Sequence, residues 1–480
     1  MLGPLNPHRF TADVSLSRYP ATINPEKKES SMVNISSAQV TGTPFDGFLK
    51  YQNYSVEIEQ NGSTQSYQGG FVHGPGHHTA AVAAFAFDEE MNPYPILKSG
   101  DTRLARSERG ESYVKDGFIA GRMDKEGAES SKIALAEIAE EVGGEVLADT
   151  FRPLGNKVSP TMPFESTESD AYYLAAVQIT GDPAGDGGEM EVADLIGAKI
   201  LSANEAIEAM DNGEVSEGSR TRTMFGRGFD VIGYLPQLKV YVHDHPDLLK
   251  KYTTLGLGAV SDLRNPAIAS PFPDHKPVGE KLTAQINDVV STRRNEISLG
   301  SGHFMIDATT RHAVKDNGEV TQVGAEFPNQ YLKLSYDRAK VATYYWDPDR
   351  GPMIQMSPQV RPILAFAPDS PDVVRLDVQD VQVSRDSNEA TKLSGARQLG
   401  QASGASAGQS DLYYQFWAKE IEKPNHPERE GYLALSKCIE LCRNGQGDAQ
   451  TEALLERLAN DLDWIPNLGM SVNAAKRLKG

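Results

Sequence analysis

The feature that most limits what this chain can fold into is an internal echo. The segment SDAYYLAAVQI, from Ser169 to Ile179, returns as SDLYYQFWAKEI from Ser410 to Ile421. EAIEAMDNGEV from Glu205 resembles KCIELCRNGQG from Lys437, with Ile207/Ile439, Asn212/Asn444 and Gly213/Gly445 in step. DVIGYLPQLKVYV from Asp230 resembles DLDWIPNLGMSV from Asp461, sharing a proline at 236 and 466. Upstream, GFLKY at Gly47 pairs with QYLKL at Gln330, and AAFAF at Ala83 pairs with LAFAP at Leu364. Similar segments recurring in one order and at similar spacing imply homologous units. A chain of 480 residues is also too long for one ordinary core. The expected organisation is an N-terminal extension (1–37), a first domain (38–245), a connecting segment (246–319) and a second, related domain (320–480). The connecting segment holds the Pro-rich stretch from Asn265 to Pro277, which suits an extended passage.

Each domain reads as α/β. His78 to Glu90, Gly117 to Gly121 and Asp170 to Ile179 are short apolar runs bounded by turn formers, hence strands. Ser130 to Val142 and Asn204 to Gly213 read as helices, with Gly213 placed to cap the second. The second domain has no helix rich in carboxylates at the matching position. Ser384 to Asp411 stands there instead, rich in Gly, Ser, Ala and Gln, and reads as a mobile loop or insertion.

The informative helix is SSKIALAEIAEEVGG. Ser130 or Ser131 can cap its start, and Gly143–Gly144 can end it in a left-handed turn. At 3.6 residues per turn, Glu137, Glu140 and Glu141 fall within about 100° of arc. Leu135, Ile138 and Val142 are expected on the other side, buried against a sheet. Clustered carboxylates repel unless a cation joins them, and hard oxygens suit Mg²⁺ or Mn²⁺. Such a metal polarises a phosphoryl oxygen and helps make hydroxide, the minimum equipment for cleaving a pyrophosphate. Solvent-facing acids on an ordinary amphipathic helix are the competing reading of this segment alone.

The segment from Phe118 to Val146 resembles the Nudix box, G-x5-E-x7-R-E-U-x-E-E-x-G-U with U aliphatic. Glu137, Ile138, Glu140, Glu141 and Gly143 match it. Ala136 stands where the family has Arg, Ala128 where it has the first Glu, and Gly144 where it has an aliphatic residue; Gly121 lies one residue out of register. Glu126 or Glu129 is the nearest stand-in for the first Glu. Within the family the chain looks like the ADP-ribose pyrophosphatase group, in which an Ala-Gly pair, here Ala120–Gly121, opens the loop.

The resemblance implies a Nudix-type α/β/α sandwich with a mixed sheet, present as two tandem copies, the second without the box. It implies hydrolysis of a nucleoside diphosphate linked to another moiety, ADP-ribose or a sugar nucleotide first, with Mg²⁺ or Mn²⁺ as cofactor. By resemblance Ala120, Glu137, Glu140 and Glu141 hold the metal, with Glu137 and Glu141 most direct. Glu165, Glu168 or Asp170, just before a core strand, would orient or deprotonate the attacking water. The box Arg holds the carboxylates in place; with Ala136 there, Arg122, Lys125 or Lys132 is the expected substitute. The silent second copy implies an intramolecular pseudo-dimer, or a homodimer as in the group.

Arg220, Arg222 and Arg227, in SRTRTMFGRG, are candidates for holding substrate phosphates, against the alternative of a solvated loop. HGPGHH (73–78) and HDHPD (243–247) read as turns rather than metal sites. A formal charge of −19 argues against nucleic acid as a partner. Neither a signal peptide nor a run of about 18 apolar residues is seen, so no membrane and a cytoplasmic location are expected. Cys438 and Cys442 read as two reduced thiols. Two other functions remain open: an NAD(H) pyrophosphatase, from the faint likeness of SPTMPF at Ser159 to that group's SQPWPF, and a non-catalytic nucleotide sensor or scaffold.

Overall fold

The computed structural model describes residues 33–60, 62–74, 76, 78–102, 114–123, 128–147, 149–155, 158–161, 166–181, 197–258, 288–299, 302–314, 320–367, 372–385, 393, 395–403 and 410–479. The first half opens with an antiparallel meander, β1 (Val33–Asp46), β2 (Lys50–Gln60) and β3 (Ser63–His73). A mixed sheet follows. Its centre is β4 (His78–Phe87), with β5 (Pro93–Thr102), β6 (Val114–Gly117) and β7 (Ile119–Arg122) added antiparallel around it. Helix α1 (Ser130–Val142) leads through the short β8 (Gly144–Val146), β9 (Arg152–Pro153) and β10 (Ser159–Pro160) to β11 (Ser169–Ile179). β11 runs parallel to β4, Ser169 beside His78, and β12 (Gly197–Ile200) closes the far edge on β5. Helices α2 (Ala203–Asp211) and α3 (Gly218–Ile232) and the hairpin β13 (Tyr234–Leu235)–β14 (Val240–Tyr241) complete the half.

The run TAAVAAFAF in β4 is buried throughout because both its faces are covered. Alternate residues serve two cores. Ala80, Val82 and Ala84 meet Ala134, Ile138 and Val142 of α1. Ala81, Ala83 and Phe85 meet Met224, Phe225 and Phe229 of α3. That arrangement makes a helix–sheet–helix sandwich.

Helix α1 spans the residues expected of it, and Gly143 ends it in the left-handed region at φ 63°. Its start differs. Glu129 occupies the cap without a side-chain bond, and the Ser130 hydroxyl sits 2.6 Å from the Tyr173 hydroxyl. Leu135 is also misassigned by the sequence: it is 40% exposed. The stripe that buries is Ala134, Ile138 and Val142, and Glu141 lies about 20° from Ala134 around the helix. Glu141 is therefore at the buried edge, and Leu135 faces outward.

The second half has sheets and helices of its own. A meander, β15 (Asp288–Leu299), β16 (Gly302–Val314) and β17 (Val320–Leu334), precedes β18 (Tyr336–Asp347) and β19 (Gly351–Gln355). A small hairpin, β20 (Ser357–Val360) and β21 (Val374–Asp377), is followed by β22 (Gln379–Ser384), β23 (Arg397–Ser403) and β24 (Tyr413–Glu420). β24 runs parallel to β18, as β11 does to β4. Then come β25 (Tyr432–Ala434), α4 (Leu435–Leu441), α5 (Ala449–Asp461), the hairpin β26 (Trp464–Ile465)–β27 (Met470–Ser471) and α6 (Val472–Lys479).

Three of the sequence echoes fall on corresponding elements: β11 with β24, α2 with α4, and the end of α3 plus its hairpin with the end of α5 plus its own. The two upstream echoes do not. Ala83 is in β4 whereas Leu364 is in the 3₁₀ turn Pro362–Phe366; Gly47 joins β1 to β2 whereas Gln330 is in β17. β15 and β16 lie inside the stretch expected as connector, and β23 inside the stretch expected as a loop. β23 (RQLGQAS) carries the Gly, Ser and Gln of a loop, and β15 carries two adjacent arginines that mask its strand character.

Helix α3 packs on α5, joining the halves. Among the described residues no helix is long and apolar enough to cross a membrane. Cys438 and Cys442 are free and buried, and burial pushes both thiols up.

Candidate active site

β5 places the first side chain. Strand alternation sends Leu97 to the α3 core and Ile96 to the α1 core, so Lys98 shares α1's face. Its ammonium lies 2.5 Å from Glu141 Oε1. The Ala120 amide donates to Glu141 Oε2 at 2.8 Å. Both oxygens of this carboxylate are thus engaged by the protein.

One turn earlier, Glu137 reaches the same strand. A Cβ built on Gly121 would lie 1.9 Å from Glu137 Oε1, so only glycine lets the carboxylate close on β7. Gly121→Ala is expected to push Glu137 away and destabilise the protein by about 1–3 kcal/mol, as overpacking does. Urea unfolding checks it; a variant as stable as wild type would show that Glu137 yields freely.

Arg122 follows on β7. Its Nη1 donates to Glu168 Oε1 at 2.9 Å, while its Nη2 is buried with no hydrogen-bond partner. Gly74 makes room for it, since a Cβ there would fall 1.8 Å from Nη1. The guanidinium carbon stands 5.6 Å from the centroid of Phe48, a ring 62% exposed at the β1–β2 turn. Glu168 is buried just before β11, and its amide donates to the Ser166 hydroxyl at 3.1 Å.

The β7 end and the start of β11 thus bring Glu137, Glu141, Arg122 and Glu168 to neighbouring backbone. Glu140 is half-buried on α1. Glu165, with Glu126 and Lys125, lies outside the described residues. Asp170 is fully engaged by the Arg220 guanidinium and the Tyr172 hydroxyl and cannot act on a water.

Arg220 and Arg222 are placed differently from expectation. They sit in helix α3, not a loop, and are buried. Arg220 is paired with Asp170 and Glu217; Arg222 Nη1 meets Glu456 of α5 at 2.6 Å. Arg227 Nη2 meets Glu452 at 2.7 Å. Their charge is taken up by protein carboxylates, for Arg220 within the first half and for Arg222 and Arg227 across the contact between the halves, which accounts for so basic a helix in so acidic a chain.

Of the cations expected to replace the box Arg, Arg122 holds Glu168 and Lys132 pairs with Glu129 at the surface, 3.1 Å away. Lys98 takes the role, and the sequence reading missed it. Its signal was a lone lysine closing the apolar run YPILK, legible only once β5 is recognised as a strand under α1.

Hard oxygens are present, but among the described residues no group of three or more His, Cys, Asp or Glu is disposed to hold a metal. The expected set of Ala120, Glu137, Glu140 and Glu141 does not fit one as folded, because an ammonium already stands on Glu141. His73 hydrogen-bonds Gly74 and Gln52, and burial lowers its pKa; His78 Nδ1 lies 2.6 Å from Ser169 Oγ.

What fold and site define is a mixed α/β protein with an acidic helix bearing on the Ala120–Gly121 strand. In structure the chain is similar to a NUDIX hydrolase from Nitrosomonas europaea, at 17% identity over 27% of this chain and 74% of that one, with a TM-score of 0.20. It is also similar to a MutT/nudix family protein from Enterococcus faecalis, at 14% identity over 27% of this chain and 44% of that one, TM-score 0.19. No protein-family model matches the chain, and no curated protein matches it.

Proposed function

We propose that the first half is a Nudix-type pyrophosphohydrolase acting on a nucleoside diphosphate linked to another moiety, with ADP-ribose or a sugar nucleotide as first substrates. The observation that carries this reading is the buried, unpartnered Nη2 of Arg122, beside the carboxylates that α1 delivers to β7. A buried guanidinium N–H without an acceptor is costly, and a phosphate oxygen is its natural partner. In this reading Arg122 binds a phosphate, Glu168 fixes the guanidinium, and Glu137 works at the reacting end. Mg²⁺ or Mn²⁺ belongs to the reading through the family resemblance. The second half would be a silent tandem copy, docked through α3 and α5 as a built-in dimer partner.

The test is AMP or phosphate release from ADP-ribose, NADH, sugar nucleotides and diadenosine polyphosphates, with Mg²⁺ or Mn²⁺. Arg122→Met is expected to raise KM about 10- to 100-fold, the loss of one charge-assisted bond. Glu137→Gln should lower kcat instead. Turnover indifferent to both changes would place the chemistry elsewhere.

A second reading has its own observation. The Lys98–Glu141 pair favours a site that binds nucleotide without cleaving it, and binding without turnover across the panel would establish that alternative.

A further inference from the structure

We infer that the second half holds part of the first half's site in shape: Gln330 of β17 is a positioning residue that fixes the β1–β2 turn and so sets Phe48 over the Arg122 guanidinium. The inference rests on the reading of Arg122 as a phosphate-binding group. Within the turn, the Gly47 amide donates to the Leu49 carbonyl at 3.2 Å, and an exposed ion pair joins Lys50 to Asp46. Exposed pairs of this kind hold little in water. The firmer contacts come from the other half. The Leu49 amide donates to Gln330 Oε1 at 2.9 Å, across 281 residues of sequence. Leu49 is buried in one core cluster with Phe304, Leu332 and Leu334 of the second meander. On the other side of Phe48, the Phe45 ring packs on Phe304 with centroids 4.3 Å apart. Gly47 makes the close approach possible, since a Cβ there would lie 2.7 Å from the Phe45 ring and 3.1 Å from Gln330 Nε2.

The turn is thus seated on β16 and β17 by the residues flanking Phe48, while Phe48 itself projects, 62% exposed, to within 5.6 Å of the guanidinium carbon. An aromatic ring at that distance attracts a guanidinium and sets its plane. Glu168 already holds Nη1. Fixed at one nitrogen and flanked by a ring, the group has little freedom left, and its unpartnered Nη2 is oriented in advance for an incoming oxygen. Gln330 touches no substrate in this arrangement. It acts through the turn and Phe48, and the second half contributes to binding without chemistry of its own.

The experiment uses the full chain without ligand: phenylglyoxal modification of Arg122, read by peptide mass spectrometry. Gln330→Met keeps the length and removes the acceptor, and should raise the rate about threefold or more, the loss of one ordinary hydrogen bond. Phe48→Leu should raise it as much. The double variant should match either single one, because both act through one contact. Gln330→Glu keeps an oxygen for the Leu49 amide and should react as wild type. Gln330→Ser serves if the methionine variant does not fold. Alongside, binding of inorganic pyrophosphate, read by calorimetry, should weaken about 3- to 10-fold in Gln330→Met. Wild-type reactivity of Arg122 in both Gln330→Met and Phe48→Leu would overturn the inference. Its fate separates from that of the phosphate reading. Faster modification in the variants, with no pyrophosphate bound by wild type, would sink only the latter. Pyrophosphate binding lost in Arg122→Met but unchanged in Gln330→Met, with unchanged reactivity, would sink only the former.

Discussion

Glu452→Ala is expected to destabilise the protein by about 3–5 kcal/mol, the cost of breaking a buried ion pair from one side. Glu452 is wholly buried on α5 and accepts from Arg227 Nη2 at 2.7 Å and Arg443 Nε at 2.8 Å. Arg443 also reaches Glu456 at 3.0 Å and Asp230, and Arg222 reaches Glu456. Without Glu452, Arg227 is left with the Ser159 hydroxyl, 2.8 Å from its Nη2. Two guanidiniums from opposite halves would face each other with too little negative charge between them. Glu452→Gln keeps shape and one acceptor and should cost less. A two-domain chain need not unfold in one step, so the first transition in urea is the quantity to follow. A loss under about 1 kcal/mol would mean that water replaces Glu452 there, and that the contact between the halves does not depend on these charges.

The second large effect lies within the second half. Lys340 of β18 is fully buried, with its ammonium 2.8 Å from Asp377 and Thr451 and 3.0 Å from Asp448. Lys340→Met should cost about 3–5 kcal/mol at neutral pH, because it strands two buried carboxylates, with Arg361 left to serve Asp377. The penalty should depend on pH. Burial pushes Asp377 up, but Lys340 and Arg361 overcome it and hold the carboxyl below its ordinary value. A lowered carboxyl stabilises the fold above the unfolded pKa, and that stabilisation fades as pH falls through the folded one. Burial holds Asp448 above its ordinary value even with Lys340 present. Removing Lys340 moves both upward. The variant's deficit against wild type should therefore be greatest near pH 7 and shrink as pH falls through the carboxylate range. A deficit that is constant with pH would show that the lysine acts through packing rather than charge.

Where the sequence was informative, the reason is visible in particular residues. TAAVAAFAF and DAYYLAAVQI are apolar on both faces, and only a covered central strand buries such runs, so β4 and β11 could be read directly. Gly143 marked the end of α1 with local chemistry, whereas the capping box Ser202–Glu205 at the start of α2 went unread. The box matched at Glu137 and Glu141 because helical spacing is itself a local property.

What stayed hidden was long-range. Nothing near Lys98 announces Glu141, 43 residues on, and nothing near Arg222 announces Glu456, 234 residues on. A basic run in an acidic chain looked like a ligand site because two of its arginines, Arg222 and Arg227, find their partners in the other half. The meander strands were missed for a different reason: β1 is exposed along most of its length and carries little apolar alternation.

The central claim is that water attacks a substrate phosphorus at the Glu137–Arg122 site. The most direct measurement is hydrolysis of ADP-ribose in ¹⁸O-labelled water with Mg²⁺, reading label in AMP and ribose 5-phosphate by mass spectrometry. The expected result is one ¹⁸O in a phosphate product from wild type and none above background from Glu137→Gln. Wild type that binds ADP-ribose and returns it unlabelled and intact would contradict the claim and leave a nucleotide-binding protein.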